Sequence, residues 1–301
     1  MTTPRRTVLG AGVVGVAAAA LAGCSGDDAA GSRAKGSSGV SKPPPPLPDG
    51  LPDDLFTIGV ASGDPLPDSV MLWTRLVADP LAPSGGLPAK PVPVTWEVAT
   101  DEGFDAVVAA GSEVAEPRWG HSVHADATGL EPNTWYWYRF SVGATQSVPA
   151  RTRTMPAFDA TLDTLRMAVA SCQEFNSGTY AAYGAMAEDD LDLVVFLGDY
   201  IYEHGGGLME PKVPPRVTET LDDYRVQYAA YKRNPLLQRV HRQVPWVVTW
   251  DDHEVGNNYA GKVPQEPEST TGYANRRSAA YQAYWEHMPI RTGPPEADGS
   301  L

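Results

Sequence analysis

The chain has 301 residues, a formal net charge of −14 and a pI near 4.8. That acidity argues against sequence-specific nucleic-acid binding, because phosphate backbones need a basic face, but it is compatible with metal cations. Hydrophobic residues at 42% permit packed cores in roughly two domains of ordinary size. Its 28 prolines and 29 glycines favour a β-rich or mixed architecture over a helical bundle.

The chain opens with TTPRRTVLG, where Arg5 and Arg6 directly precede an apolar run from Val8 to Ala22 that ends in LAGC, residues 21–24. Arginine pair, apolar run and LAGC box in that order predict a twin-arginine export signal with a lipoprotein cleavage box over 1–24. The run is too short and too rich in Ala and Gly for a spanning helix. On this reading the mature chain starts at Cys24, membrane contact is through lipid on Cys24 alone, and the protein is extracellular or a cell-surface lipoprotein. Cys172 then has no disulfide partner and is either inert in a core or a ligand. Residues 25–50 are small, polar and proline-rich, as in a disordered linker.

From Phe56 to about Arg153, short stretches rich in Val, Thr, Trp, Tyr and Phe alternate with Gly, Pro, Asp and Asn. FTIGVASGDP, SVMLWTRL, PVTWEVAT and WYWYRFSV read as strands. GLEPNTWYWYRF (129–140) resembles the end of a fibronectin type III-like sandwich, so a β-sandwich is expected over 51–155. His121 and His124, in HSVH, point to opposite faces of a strand and are read as structural.

After Met155 the period changes. LRMAVASC (165–172), LDLVVFLGD (191–199) and VPWVVTWDD (244–252) read as buried strands, the second as apolar as a sheet covered on both faces requires. Between and after them, TYAAYGAMAEDD (179–190), TETLDDYRVQYAAYKRNPLLQRV (218–240, broken at Asn234-Pro235) and NRRSAAYQAYWEHM (275–288) have helical spacing. The alternation predicts an α/β layer domain over 156–301 and a fold class of β plus α/β.

Each apolar strand ends in reactive residues: SCQEFN (171–176), GDYIYEHGG (from Gly198) and DDHEVGNN (251–258). Ligands in α/β sheets collect at the carboxyl ends of strands, so the three clusters are expected to meet. Singly, each has a plainer explanation: a turn, a core thiol, a solvated acidic loop. Crowding Asp251, Asp252 and Glu254 around His253 at the end of a buried strand is costly unless cations sit among them. Tyr202 follows Asp199 by three residues, so one turn can present both to one centre. A phenolate with a thiolate favours a strongly Lewis-acidic ion such as Fe(III).

SCQ, GDYIYE and WDDHEVGNN together resemble the PhoD-type alkaline phosphatases of the calcineurin-like metallophosphoesterase superfamily. The resemblance implies a secreted metal-dependent phosphoric ester hydrolase acting on phosphomonoesters and phosphodiesters, with Fe(III) and Ca(II) and a metal-bound hydroxide nucleophile. Carried over by motif, Asp199 bridges the metals, Tyr202 and Cys172 bind iron, Asp252 stands where the superfamily has a metal-binding Asn, and His253 falls at its catalytic histidine. Asp251, Glu254 and Asn258 are weaker candidates. The family's catalytic domain is longer than residues 156–301, so the chain is expected to be C-terminally truncated, its second domain incomplete, and its activity alone weak or absent. His287, the one histidine after this stretch, reads as a surface or helix-end residue.

Two other readings stay open. A purple-acid-phosphatase-like enzyme also pairs a β-sandwich with Asp and Tyr iron ligands, but SCQ is foreign to its first motif. A non-catalytic lipid-anchored β-sandwich binding protein predicts no bound metal.

Overall fold

The computed structural model describes residues 44–204, 217–265, 270–296, 299 and 301. The expected export signal and residues 25–43 of the expected linker lie outside them. Eleven named strands run as β1 (Val60–Gly63), β2 (Ser69–Arg75), β3 (Val92–Ala99), β4 (Val107–Ala115), β5 (Ser122–Thr128), β6 (Trp135–Val142), β7 (Thr145–Gln146), β8 (Ala150–Arg153), β9 (Met167–Ala170), β10 (Leu193–Phe196) and β11 (Trp246–Val248). Four helices accompany them: α1 (Ala181–Met186), α2 (Leu221–Lys232), α3 (Pro235–His241) and α4 (Thr270–His287). None is long and apolar enough to cross a membrane.

The strands form two sheets. β4, β3, β6 and β7 make an antiparallel sheet, with β8 also paired to β6. WYWYRFSV behaves as its alternation predicts: Tyr136, Tyr138, Phe140 and Val142 are buried and the residues between them less so. These side chains pack against Val60, Val70, Leu72, Val123, Ala125 and Ala127 of the other sheet.

That other sheet has the order β5-β2-β1-β11-β10-β9. It is antiparallel at the β5-β2-β1 end and parallel from β1 to β9. It crosses the boundary expected at 155/156, because Gly63 pairs with Trp246 and the Asp64 N–H donates to the Trp246 carbonyl at 3.0 Å. The join requires a glycine: a Cβ on Gly63 would lie 2.2 Å from the Pro289 carbonyl oxygen and 2.7 Å from that of Trp246.

Helix boundaries follow local chemistry. Thr220 and Asp223 form a reciprocal capping box at the start of α2. At the expected Asn234-Pro235 break, the Asn234 side chain accepts from the Leu236 and Leu237 amides and Pro235 takes the first helical position, so α3 begins where α2 stops. α1 is shorter than the expected 179–190.

Three expectations are corrected. The parallel strands are not covered on both faces by the described residues. Ala168, Ala170, Val194, Phe196 and Trp246 face the helical core, but Val169 (62% exposed) and Val247 (38% exposed) flank Val195 in one row on the other face. His287 is not at the surface. It is fully buried at the end of α4, with Nε2 2.8 Å from Arg75 Nη1, Nδ1 2.6 Å from the Ala283 carbonyl, and its ring stacked on Tyr228. His121 is not on the strand as expected but precedes β5 with φ +59°; it and His124 contact the backbone carbonyls of Lys90 and Met288 through Nε2, which is a structural role.

Candidate metal centre

The three reactive clusters lie together at the carboxyl ends of β9, β10 and β11 because pairing continues past the strands. The Cys172 amide donates to the Gly198 carbonyl at 3.1 Å, and the Gln173 amide to the Asp199 carbonyl at 3.1 Å. After β10 the chain turns sharply through Gly198 (φ +100°) and Asp199 (φ +56°), and Cys172 is also left-handed (φ +55°). Gly198 is required: a Cβ there would meet the Asp251 Cβ at 2.5 Å. Left-handed backbone at a non-glycine residue costs about 1–3 kcal/mol and clusters where a site over-determines it.

Asp199 is buried, 6% exposed. One oxygen from each of Asp199 and Asp252 and one ring nitrogen of His253 lie within 4.8 Å of one another. The Tyr202 hydroxyl is 3.3 Å from Asp199 Oδ2, and the His253 amide is 3.4 Å from Asp199 Oδ1. Cys172 is exposed and lies outside this 4.8 Å group. Its thiol stands beside Tyr202, whose phenol is pushed well above its ordinary value by burial, then by the Asp199 charge and the Cys172 thiol. Two carboxylates and an imidazole within 4.8 Å, with a phenol and a thiol beside them, are donor types that suit a metal cation.

The weaker candidates support the turn. Glu254 is 1% exposed, and its carboxylate accepts from the amides of Asp199, Tyr200 and Asp251. Burial pushes it up to about 7 against the pull of those amides. It therefore clamps the β10 turn to the β11 turn. Asp251 closes a capping box with Glu254, and the Asn258 amide donates to Asp252 Oδ2. Asp252–Glu254 form a single 3₁₀ turn, which aims Asp252 and His253 together while Glu254 points back into the chain.

One contact has no counterpart in the sequence reading. His253 Nδ1 is 2.7 Å from Glu203 Oε2. Burial lowers the His253 pKa, but the Glu203 hydrogen bond and charge, with Asp199 and Asp252, raise it above its ordinary value. Burial likewise pushes Glu203 up, and the His253 bond and the Asn257 amide overcome it, leaving Glu203 below the usual carboxylate range. The signal was present as the last letter of GDYIYE, but a lone Glu after an aromatic looks like any surface carboxylate. His204, next in the chain, brings its ring within 6.3 Å of that of His253.

Residues 167–301 match the model of the PhoD-like phosphatase family, and residues 44–156 match the model of the PhoD-like phosphatase N-terminal domain. Over 242 residues the chain is 52% identical to alkaline phosphatase D of Bacillus subtilis (strain 168), an alignment that takes in 78% of this chain and 41% of that protein. A solved structure of PhoD superposes with a TM-score of 0.78 at 50% identity, covering 80% of this chain and 47% of the other. The chain thus spans less than half the length of the relatives it matches. With both domain models matched in order and the three strand-end motifs converging on one centre, the chain belongs to the PhoD-like phosphatase family.

Proposed function

We propose that this chain carries the metal-binding half of an exported phosphatase acting on phosphomonoesters and phosphodiesters. The observation that carries the reading is the meeting of Asp199, Asp252 and His253 within 4.8 Å at the ends of adjacent parallel strands. Asp199, Tyr202, Cys172 and Asp252 would hold the metals, with iron at Tyr202 and Cys172 and calcium as the proposed companion ion. Metals held there supply Lewis acidity toward a phosphoryl oxygen and make water a better nucleophile. His253 donates a hydrogen bond or proton to a reacting oxygen, a role its place beside Asp199 and Asp252 supports. Glu254 keeps the two turns in register, so that Asp199 and Asp252 face one point.

The finer assignments are part of the same proposal. The five-stranded sheet with β5, β2 and β1 makes a fibronectin-like sandwich, and β11, β10 and β9 of the same six-stranded sheet make the first layer of a metallophosphoesterase domain. Arg5, Arg6 and Cys24 serve twin-arginine export and lipid attachment.

The test is turnover of a chromogenic monoester and diester by the purified chain, supplied with iron and calcium, beside Asp199→Asn. Bound iron is expected to vanish in the variant, together with whatever weak turnover the wild type shows. Iron binding equal in the two proteins would refute the ligand assignment. Cys172→Ser separates this reading from a purple-acid-phosphatase-like one: loss of iron is expected here, retention there.

A further inference from the structure

Glu203 is 7% exposed, and both of its oxygens are engaged. Oε2 meets His253 Nδ1 at 2.7 Å, and Oε1 accepts the Asn257 amide at 2.9 Å. Its backbone is held from the other side: its carbonyl accepts from the Thr218 amide at 2.7 Å and the Thr218 hydroxyl at 3.1 Å, and the Tyr202 carbonyl accepts from Gln227 Nε2 at 2.6 Å. The carboxylate is therefore fixed before it meets the imidazole. It lies outside the group of atoms that gathers Asp199, Asp252 and His253, so it is not placed as a ligand. The His253 ring is also held by Tyr202, with centroids 4.2 Å apart. His253 Nε2 makes no hydrogen bond to the described residues.

An ionised carboxylate only accepts hydrogen bonds. Facing Nδ1, it selects the form of the imidazole with the proton on Nδ1 and leaves Nε2 as the nitrogen open to chemistry. We infer that Glu203 is the positioning residue for His253, fixing both its ring orientation and its tautomer through the Oε2–Nδ1 bond. The inference deepens the phosphatase reading and rests on it for the meaning of Nε2, but the tautomer is measurable without any substrate.

The experiment is long-range proton–nitrogen NMR of the whole chain labelled with ¹⁵N-histidine, at a pH where His253 is neutral, with His253→Gln to assign its signals. The wild type is expected to show His253 protonated on Nδ1. Glu203→Gln, whose amide can also donate, is expected to move the proton toward Nε2, and Glu203→Asp to keep it on Nδ1. The signals of the other histidines report whether each variant is folded. If Glu203→Gln fails that check, the wild-type and Glu203→Asp spectra decide. A wild-type Nε2–H tautomer, or a His253 pattern unchanged in a folded Glu203→Gln, overturns the inference. In turnover, Glu203→Gln is expected to lower kcat about 10- to 100-fold with KM and bound metal unchanged, and Glu203→Asp to recover part of it. Loss of metal in Glu203→Gln would overturn the positioning role. An inactive wild type, which the expected truncation also predicts, leaves the family assignment standing, and the tautomer result still judges Glu203.

Discussion

The two ends of the six-stranded sheet are built from similar residues and meet different surroundings. At the antiparallel end, β1 and β2 are buried throughout. One face packs on the five-stranded sheet, and the other, with Ala61 and Trp73, packs against Ala229 of α2. At the parallel end, the face formed by Ala168, Val194 and Trp246 is covered by helices, while Val169 and Val247 stand exposed. LDLVVF is more apolar than SVMLWTR and yet less completely buried, so local composition does not set burial. What covers the second face does, and only the antiparallel end has a second layer among the described residues. The candidate centre sits at the carboxyl edge of the less covered end.

That contrast can be broken by mutation, and the largest effect is expected at the covered end. Trp73 is 1% exposed, and its indole N–H donates to the Glu286 carbonyl at 3.1 Å. Trp73→Ala should cost about 3–5 kcal/mol in denaturant unfolding, whereas Val169→Thr should stay within about 0.5 kcal/mol. Equal costs at the two sites would mean that the open face is covered in solution.

Gly198→Ala should cost about 1–3 kcal/mol, from its positive φ and the close approach of Asp251. It should also lower iron binding, because Asp199 follows it directly. Thermal unfolding and iron content measure the two effects separately.

Lys232 tests the join between the two ends. It is 1% exposed, its ammonium lies 4.4 Å from the Trp73 ring centre and 4.9 Å from that of Tyr200, and it has no hydrogen-bond partner among the described residues. Burial pushes it down to about 7 from 10.5. Below about pH 7 both folded and unfolded chains hold this proton. Between there and 10.5 the unfolded chain holds a proton that the folded one has released, so stability rises with pH, at no more than about 1.4 kcal/mol per pH unit. Lys232→Met should flatten that rise, as read from unfolding curves at pH 7 and pH 9. An unchanged slope in the variant would assign it to another group.

The smallest effect on stability is expected on the open face. Val169→Ser with Val247→Ser should leave unfolding nearly unchanged but reduce self-association, which exposed apolar surface beside an edge strand promotes. Sedimentation at rising concentration checks this.

Much of the site was legible before folding was considered. Asp199, Tyr202, Asp252 and His253 stood out only jointly, as reactive residues at the ends of several apolar runs, and the structure brings them together; Cys172, picked by the same rule, lies outside the 4.8 Å group. Glu203 did not stand out, because its role depends on a partner 50 positions away that no local pattern identifies. Glu254 was open between ligand and support for the ligands, because nothing in DDHE says which carboxylate turns back to the backbone amides.

The sequence by itself determined the strand and helix periods, the Asn234-Pro235 break and the residue types of the centre, since these rest on propensity, capping and charge within a few residues. Only the tertiary structure decided that β1 and β11 would join one sheet, that His287 would be buried against Arg75, and that Glu203 would grip His253. Each of those depends on bringing distant segments together, and its free energy comes from the cover and partners supplied across the fold.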